Sequence, residues 1–139
     1  MSGGAASIVL ADDDEDLRAV YAAMLRAEGF EVVEAADGPA AIASVCGRRP
    51  DLLILDLWMP GLNGLEVLDR LRHEPAATRT RVVMLSCLGD ADYRLESFEA
   101  GAVAYLVKGL ALEDLVAEVR RVLAAWPADP REMSIADPC

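Results

Sequence analysis

The chain has 139 residues, 54% of them apolar, which suits one domain with a buried core and excludes a disordered chain. Its 24 acidic against 13 basic residues leave a net charge of −11, which argues against a surface that grips a nucleic-acid backbone. The three cysteines (Cys46, Cys87, Cys139) match no metal or redox spacing, residues 1–7 carry no basic region, and no apolar run is long enough to span a membrane, so a reducing, cytoplasmic setting is expected.

Short apolar runs alternate with helical periods along the chain. Residues 7–11 (SIVLA) read as a buried strand. Residues 15–28 place Leu17, Val20, Tyr21, Met24 and Leu25 on one helix face, and Gly29 ends that helix. A second strand over 31–35 precedes a helix over 39–47 built on Ala41, Ile42 and Val45. Residues 52–56 (LLILD) are the clearest buried strand. A loop with Pro60, Gly61, Asn63 and Gly64 leads into a helix over 64–73 that buries Leu65, Leu68 and Leu71. Strands over 81–86 and 103–107 flank a weaker polar helix over 90–100. The last helix, 112–125, repeats Leu112, Leu115, Val116, Val119 and Leu123. Residues 1–126 are expected to form one domain. Residues 127–139, rich in proline, read as a flexible tail or linker stub.

Strands alternating with helices imply crossover connections and a parallel sheet. Strands apolar almost throughout imply helices on both faces. The predicted fold is therefore α/β: a doubly wound five-stranded parallel sheet in the flavodoxin-like order 2-1-3-4-5. Such sheets bind ligands outside the carboxyl ends of their strands. Those ends carry Asp12 and Asp13, Asp56, Ser86 and Lys108.

Carboxylates gathered there repel by roughly 4 kcal/mol per close pair at an effective dielectric near 20. A proton or a cation must offset that. Oxygen ligands without histidine or cysteine favour a hard ion, and Mg2+ is the natural choice. Lys108 is the only lysine in the chain, and its compact ammonium suits a phosphoryl oxygen or an aspartate. Ser86 offers a hydroxyl donor. An aspartate so surrounded is equipped for in-line phosphoryl transfer.

Four stretches carry a family resemblance: IVLADDD at 8–14, LLILDLWMPGLNG at 52–64, VVMLS at 82–86 and GAVAYLVK at 101–108. In order and at these separations, they resemble the receiver domains of bacterial two-component response regulators over residues 7 to about 125. The resemblance implies that Asp56 is the phosphoacceptor, and that Asp13 ligates Mg2+ directly and Asp12 through water. It further implies that the Trp58 backbone carbonyl adds a metal oxygen, and that Lys108 contacts the phosphoryl group. Ser86 and Tyr105 would then be the switch pair that remodels the face of the fourth helix, fifth strand and fifth helix. A histidine kinase or phosphotransfer protein would be the donor, and a downstream output domain or protein the recipient of the signal. The resemblance also opens a homodimer through that face. Beyond its own phosphorylation and dephosphorylation, no enzymatic activity is implied.

Three positions depart from the family pattern. Gly109 follows the lysine where proline, often cis, is usual; a non-proline cis bond costs about 2.5–4 kcal/mol, so a trans bond is expected. Cys87 replaces a smaller residue and reads as a buried filler. Trp58 is large for its place and is positioned to shield a phosphoryl group from water.

Blander roles compete for several residues. Asp14 and Asp16 suit a helix start, His73 a helix end, and the arginines of 70–81 and 120–121 a solvated face. Two other functions compete with the switch: a receiver-like binding module that works without phosphate, and an aspartate-nucleophile phosphohydrolase. The second expects an aspartate where Trp58 stands. No output segment follows residue 125, which leaves a stand-alone receiver or one domain of a longer protein.

Overall fold

A computed structural model describes residues 5–87 and 93–125. Its five strands are β1 (Ser7–Ala11), β2 (Glu31–Ala35), β3 (Leu52–Asp56), β4 (Arg81–Ser86) and β5 (Ala104–Val107). All pair in parallel, in the order β2-β1-β3-β4-β5. The helices are α1 (Glu15–Ala27), α2 (Gly38–Arg48), α3 (Gly64–Arg72), α4 (Arg94–Glu99) and α5 (Leu112–Ala125). The expected sheet and strand order are borne out.

Each strand sends alternate residues to opposite faces, and the core divides accordingly. Val9, Leu53, Leu55, Val82 and Met84 pack with Ala41, Val45, Val67 and Leu68 of α2 and α3. Ile8, Leu10, Leu52, Ile54, Val83 and Leu85 pack with Tyr21, Leu25, Leu115 and Val119 of α1 and α5. Strand β3 lies at the centre and all five of its residues are buried, which is why its sequence is an unbroken apolar run ending in Asp56.

Caps fix where the helices begin. The Asp14 carboxylate accepts the Leu17 N–H and starts α1, as its helix-start reading anticipates. Asn63 and Glu66 form a reciprocal capping box at α3. That box sets α3 directly after the loop from Asp56.

Several local expectations need correcting. Val20 is 49% exposed, because α1 turns Tyr21, Ala22 and Leu25 squarely into the sheet and carries Val20 to the rim. Leu65 is only half-buried, while Val67 fills the core. A short 3-10 turn, Pro75–Ala77, lies where no element is foreseen. Helix α4 is described from Arg94; positions 90–92 of the expected helix, and the tail at 127–139 with its boundary at 126, lie outside the described residues.

Gly64 is required by close approach. A Cβ there would sit 2.6 Å from the Asp56 carbonyl oxygen and 3.0 Å from the Leu57 Cα. Backbone cannot retreat cheaply, so Gly64→Ala is expected to lower the unfolding free energy by roughly 2–3 kcal/mol. In contrast, a Cβ at Gly47 in α2 meets nothing within 4 Å. Gly47→Ala should raise stability by about 0.5–1 kcal/mol. Urea denaturation of the two variants checks both signs.

Candidate functional site

The alternation that builds the core also aims the site. Asp12 extends the Ile8 and Leu10 row one residue past β1, Asp56 ends the Leu52 and Ile54 row, and Lys108 lies one residue past β5 in step with Ala104 and Leu106. The three rows belong to the α1/α5 side of the sheet, so their last members converge there.

Lys108 Nζ lies 3.0 Å from Asp12 Oδ2 and 3.1 Å from Asp56 Oδ1. Asp12 is 0% and Asp56 2% exposed. Asp13 sits on the open side, yet oxygens of Asp12, Asp13 and Asp56 all come within 4.8 Å of one another. The Asp14 N–H donates to Asp12 Oδ1 at 2.9 Å, and the Arg18 guanidinium donates to the Asp12 carbonyl at 2.8 Å. The Trp58 N–H points at Asp56 Oδ1 from 3.4 Å.

Two buried carboxylates thus share one ammonium. Burial pushes the Asp56 carboxyl up to about 7, the Asp12 charge pushes the same way, and Lys108 offsets only part of this. Burial alone would lower Lys108; hydrogen bonding and attraction from Asp12 and Asp56 outweigh it and hold the ammonium at about 12. The pocket therefore carries surplus negative charge. Asp12 Oδ2 shows the same shortage: apart from the Lys108 ammonium 3.0 Å away, this buried oxygen has no hydrogen-bond donor among the described residues. A buried carboxylate oxygen short of a donor, beside two more carboxylates, fits a hard divalent cation.

The remaining predicted residues surround this centre. Ser86 is buried, and its hydroxyl lies 3.4 Å from the Cys87 carbonyl. The Lys108 N–H donates to the Ser86 carbonyl at 2.6 Å, tying the ends of β4 and β5 together. Trp58 is 43% exposed and meets the Tyr93 ring edge-on, with centroids 5.4 Å apart. Tyr105 is half-buried under the Arg94 guanidinium, 5.0 Å from its ring centre. No described peptide bond is cis, as expected for Lys108–Gly109, and Gly109 takes φ +97°, which proline cannot adopt.

Cys87 contradicts the buried-filler reading. It is exposed, because the chain leaves the sheet immediately after Ser86. Arg18, Tyr93 and Arg94 escape the sequence reading altogether. The usable signal for Arg18 is its place on the first turns of α1, across from Glu34 on the neighbouring strand, which it bonds at 3.0 Å. His73 behaves as foreseen, with Nδ1 2.9 Å from the Asp69 carbonyl at the end of α3.

Comparison with known proteins identifies the family and the fold. Residues 8–120 match the family model described as the response regulator receiver domain. The DNA-binding response regulator MtrA of Mycobacterium tuberculosis is 39% identical over 131 residues, which is 94% of this chain and 56% of that protein. Chemotaxis protein CheY4 of Vibrio cholerae superposes with a TM-score of 0.80 at 30% identity, over 86% of this chain and 99% of that one. The receiver domain of NtrX from Brucella abortus gives 0.78 at 30%, over 86% and 99%. The chain spans about half the length of the curated relatives it matches.

The surplus charge has a stability consequence. Asp56 is held at about 7 instead of its ordinary 3.8, so the folded state binds the extra proton between those values. Stability of the metal-free protein must then fall as pH rises through that window, by roughly 4 kcal/mol at most. Asp56→Asn removes the penalty. With a chelator present it should raise the unfolding free energy by roughly 2–4 kcal/mol at pH 8, with the gap closing near pH 4. Equal stabilities across the range would contradict the charge assignment.

Proposed function

The chain belongs to the response-regulator receiver domain family, and on that footing we propose that it is a phosphorylation-dependent switch of a two-component system, with Asp56 as phosphoacceptor. The observation that carries this reading is the convergence of Asp12 and Asp56 on Lys108, with Asp13 beside the two carboxylates, at the carboxyl ends of β1, β3 and β5. The donor is a histidine kinase or phosphotransfer protein. No described helix is long and apolar enough to cross a membrane, which is compatible with a cytoplasmic exchange between the two.

An Asp56 oxygen attacks phosphorus in line, an oxygen–phosphorus bond forms, and the donor's nitrogen–phosphorus bond breaks as its imidazole leaves. Mg2+, when bound, supplies neutralising charge. Asp12, Asp13, Asp56 and the Trp58 carbonyl are the groups that would hold it, with Asp12 acting through water. Lys108 already lies against Asp56 and is placed to follow the charge onto a phosphoryl oxygen. The Ser86 hydroxyl is the neighbouring donor. Its draw toward the phosphoryl group would let Tyr105 move inward, changing the surface of α4, β5 and α5. That surface serves a downstream output domain or protein, or a homodimer. Direct nucleic-acid binding by this chain itself is disfavoured by its net charge of −11.

A second reading, a module that works without phosphate, draws on the Gly109 loop and on exposed Cys87. The two separate cleanly. With acetyl phosphate and Mg2+, intact-mass analysis should show one added phosphoryl group that requires the metal and disappears in Asp56→Asn. A folded protein that takes up none would favour the phosphate-independent module.

Trp58 also bears on the lifetime of the product. With its ring held against Tyr93 beside the site, it is placed to limit water at the acyl phosphate. Trp58→Ala should hydrolyse its phosphoryl group several-fold faster, as read from the decay of the phosphorylated mass; an unchanged rate would remove Trp58 from this role.

A further inference from the structure

Asp12 is tied through its N–H, its carbonyl and one carboxylate oxygen. The N–H donates to the Ala35 carbonyl at 3.1 Å, and Oδ1 accepts the Asp14 N–H at 2.9 Å. The carbonyl lies beyond the last paired residue of β1, Ala11, and accepts the Arg18 guanidinium at 2.8 Å. Arg18 is held at its backbone too, where its N–H donates to the Asp14 carbonyl at 2.9 Å. A closed ring of hydrogen bonds therefore runs from Asp12 to Asp14, on to Arg18 and back to Asp12.

The guanidinium is anchored from the sheet as well. Arg18 Nε meets Glu34 Oε1 at 3.0 Å, and Arg26 holds the other Glu34 oxygen at 3.2 Å. Arg26 also donates to the Val32 carbonyl at 2.9 Å, on the same strand. Glu34 stands opposite Leu10 in the register of β2 with β1, beside the point where the chain leaves for the pocket. The Arg18 side chain is only 14% exposed. There a planar fork with several donors serves Glu34 and the Asp12 carbonyl together, which a lysine's compact ammonium does not.

We propose that Arg18 is a positioning residue for the acidic pocket: clamped between Glu34 and the Asp12 carbonyl, it fixes the turn that places Asp12 and Asp13 for the cation. With the other Asp12 groups engaged, Oδ2 is left facing Lys108. Asp13 stands exposed between two tethered residues and takes its place from them. Charge and geometry make opposite predictions here. A cation beside a dication site repels the ion, so on charge alone the loss of Arg18 would tighten Mg2+ binding. A positioning role demands the reverse, because ligands no longer held in place lose affinity. This role rests on the reading of Asp56 as an Mg2+-dependent phosphoacceptor.

The test titrates metal-free protein with Mg2+ and follows backbone amide shifts by NMR, in wild type, Arg18→Met, Arg18→Lys and, as a control, Arg120→Met. Arg18→Met should bind Mg2+ about ten-fold more weakly, the scale on which lost outer partners weaken metal sites. Arg18→Lys keeps the charge without the fork and should lose most of the same affinity. Before Mg2+ is added, the Asp14 amide should exchange with solvent faster in both Arg18 variants, with β3 amides unchanged. Arg120→Met breaks an exposed pair with Glu28, 2.8 Å long, and should leave Mg2+ binding alone whatever it does to the melting temperature. With acetyl phosphate as donor, the half-saturating Mg2+ concentration should rise in both Arg18 variants by a larger factor than the saturated rate falls. Unchanged or tighter Mg2+ binding in Arg18→Met overturns the proposal, as does wild-type affinity in Arg18→Lys, since a point charge would then suffice. A loss of affinity that follows melting temperature across all the variants, Arg120→Met included, also overturns it. Wild type that neither binds Mg2+ nor accepts a phosphoryl group would instead defeat the phosphoacceptor reading, and the positioning role with it.

Discussion

Two buried carboxylates and one ammonium cannot balance. Asp12 and Asp56 both reach for Lys108, and Asp13 adds a third negative group at the open edge. In a region of low dielectric such an excess is costly unless a proton, a cation or a bound ligand relieves it. The raised Asp56 carboxyl and the poorly satisfied Asp12 oxygen are two expressions of that one imbalance. A pocket with spare negative charge and a lysine already in contact has the components needed to hold a dication and then receive a phosphoryl group.

The fold exists in the form that creates this imbalance. Parallel strands all present their carboxyl ends on the same edge, and side-chain alternation carries Asp12, Asp56 and Lys108 to the same side of it. The α3 start is pressed against the Asp56 carbonyl, where only glycine fits. Core packing beneath the site is dense, with β3 buried from end to end, so the electrostatic cost is carried by apolar burial elsewhere in the sheet.

Much of this is legible in the sequence because the controlling signals are local. Runs such as LLILD give away a buried strand, and the polar residue that ends each run announces a site at the sheet edge. Asp12, Asp56, Ser86 and Lys108 are found that way. What escapes depends on long-range geometry. Arg18 looks like an ordinary helix residue until the register of β1 with β2 places Glu34 and Asp12 around it. Val20 and Cys87 were expected inside and lie outside. For Val20 the helix rotates its stripe by one position; Cys87 lies just past the end of β4, whose bounds at 81–86 are as expected, and so escapes the core. Periodicity marks a face, but only packing decides its edges.

The most direct measurement of the charge imbalance is the thermal midpoint of the protein with and without millimolar Mg2+, in wild type and in Asp13→Asn. If surplus carboxylate charge defines the pocket, Mg2+ should raise the wild-type midpoint by roughly 3–6 °C, about what 1 kcal/mol of linked binding gives a domain of this size. The shift in Asp13→Asn should be much smaller. A wild-type midpoint that does not move with Mg2+ would mean that Lys108 alone balances the pocket, and the account of a cation-dependent phosphoacceptor would be contradicted at its base.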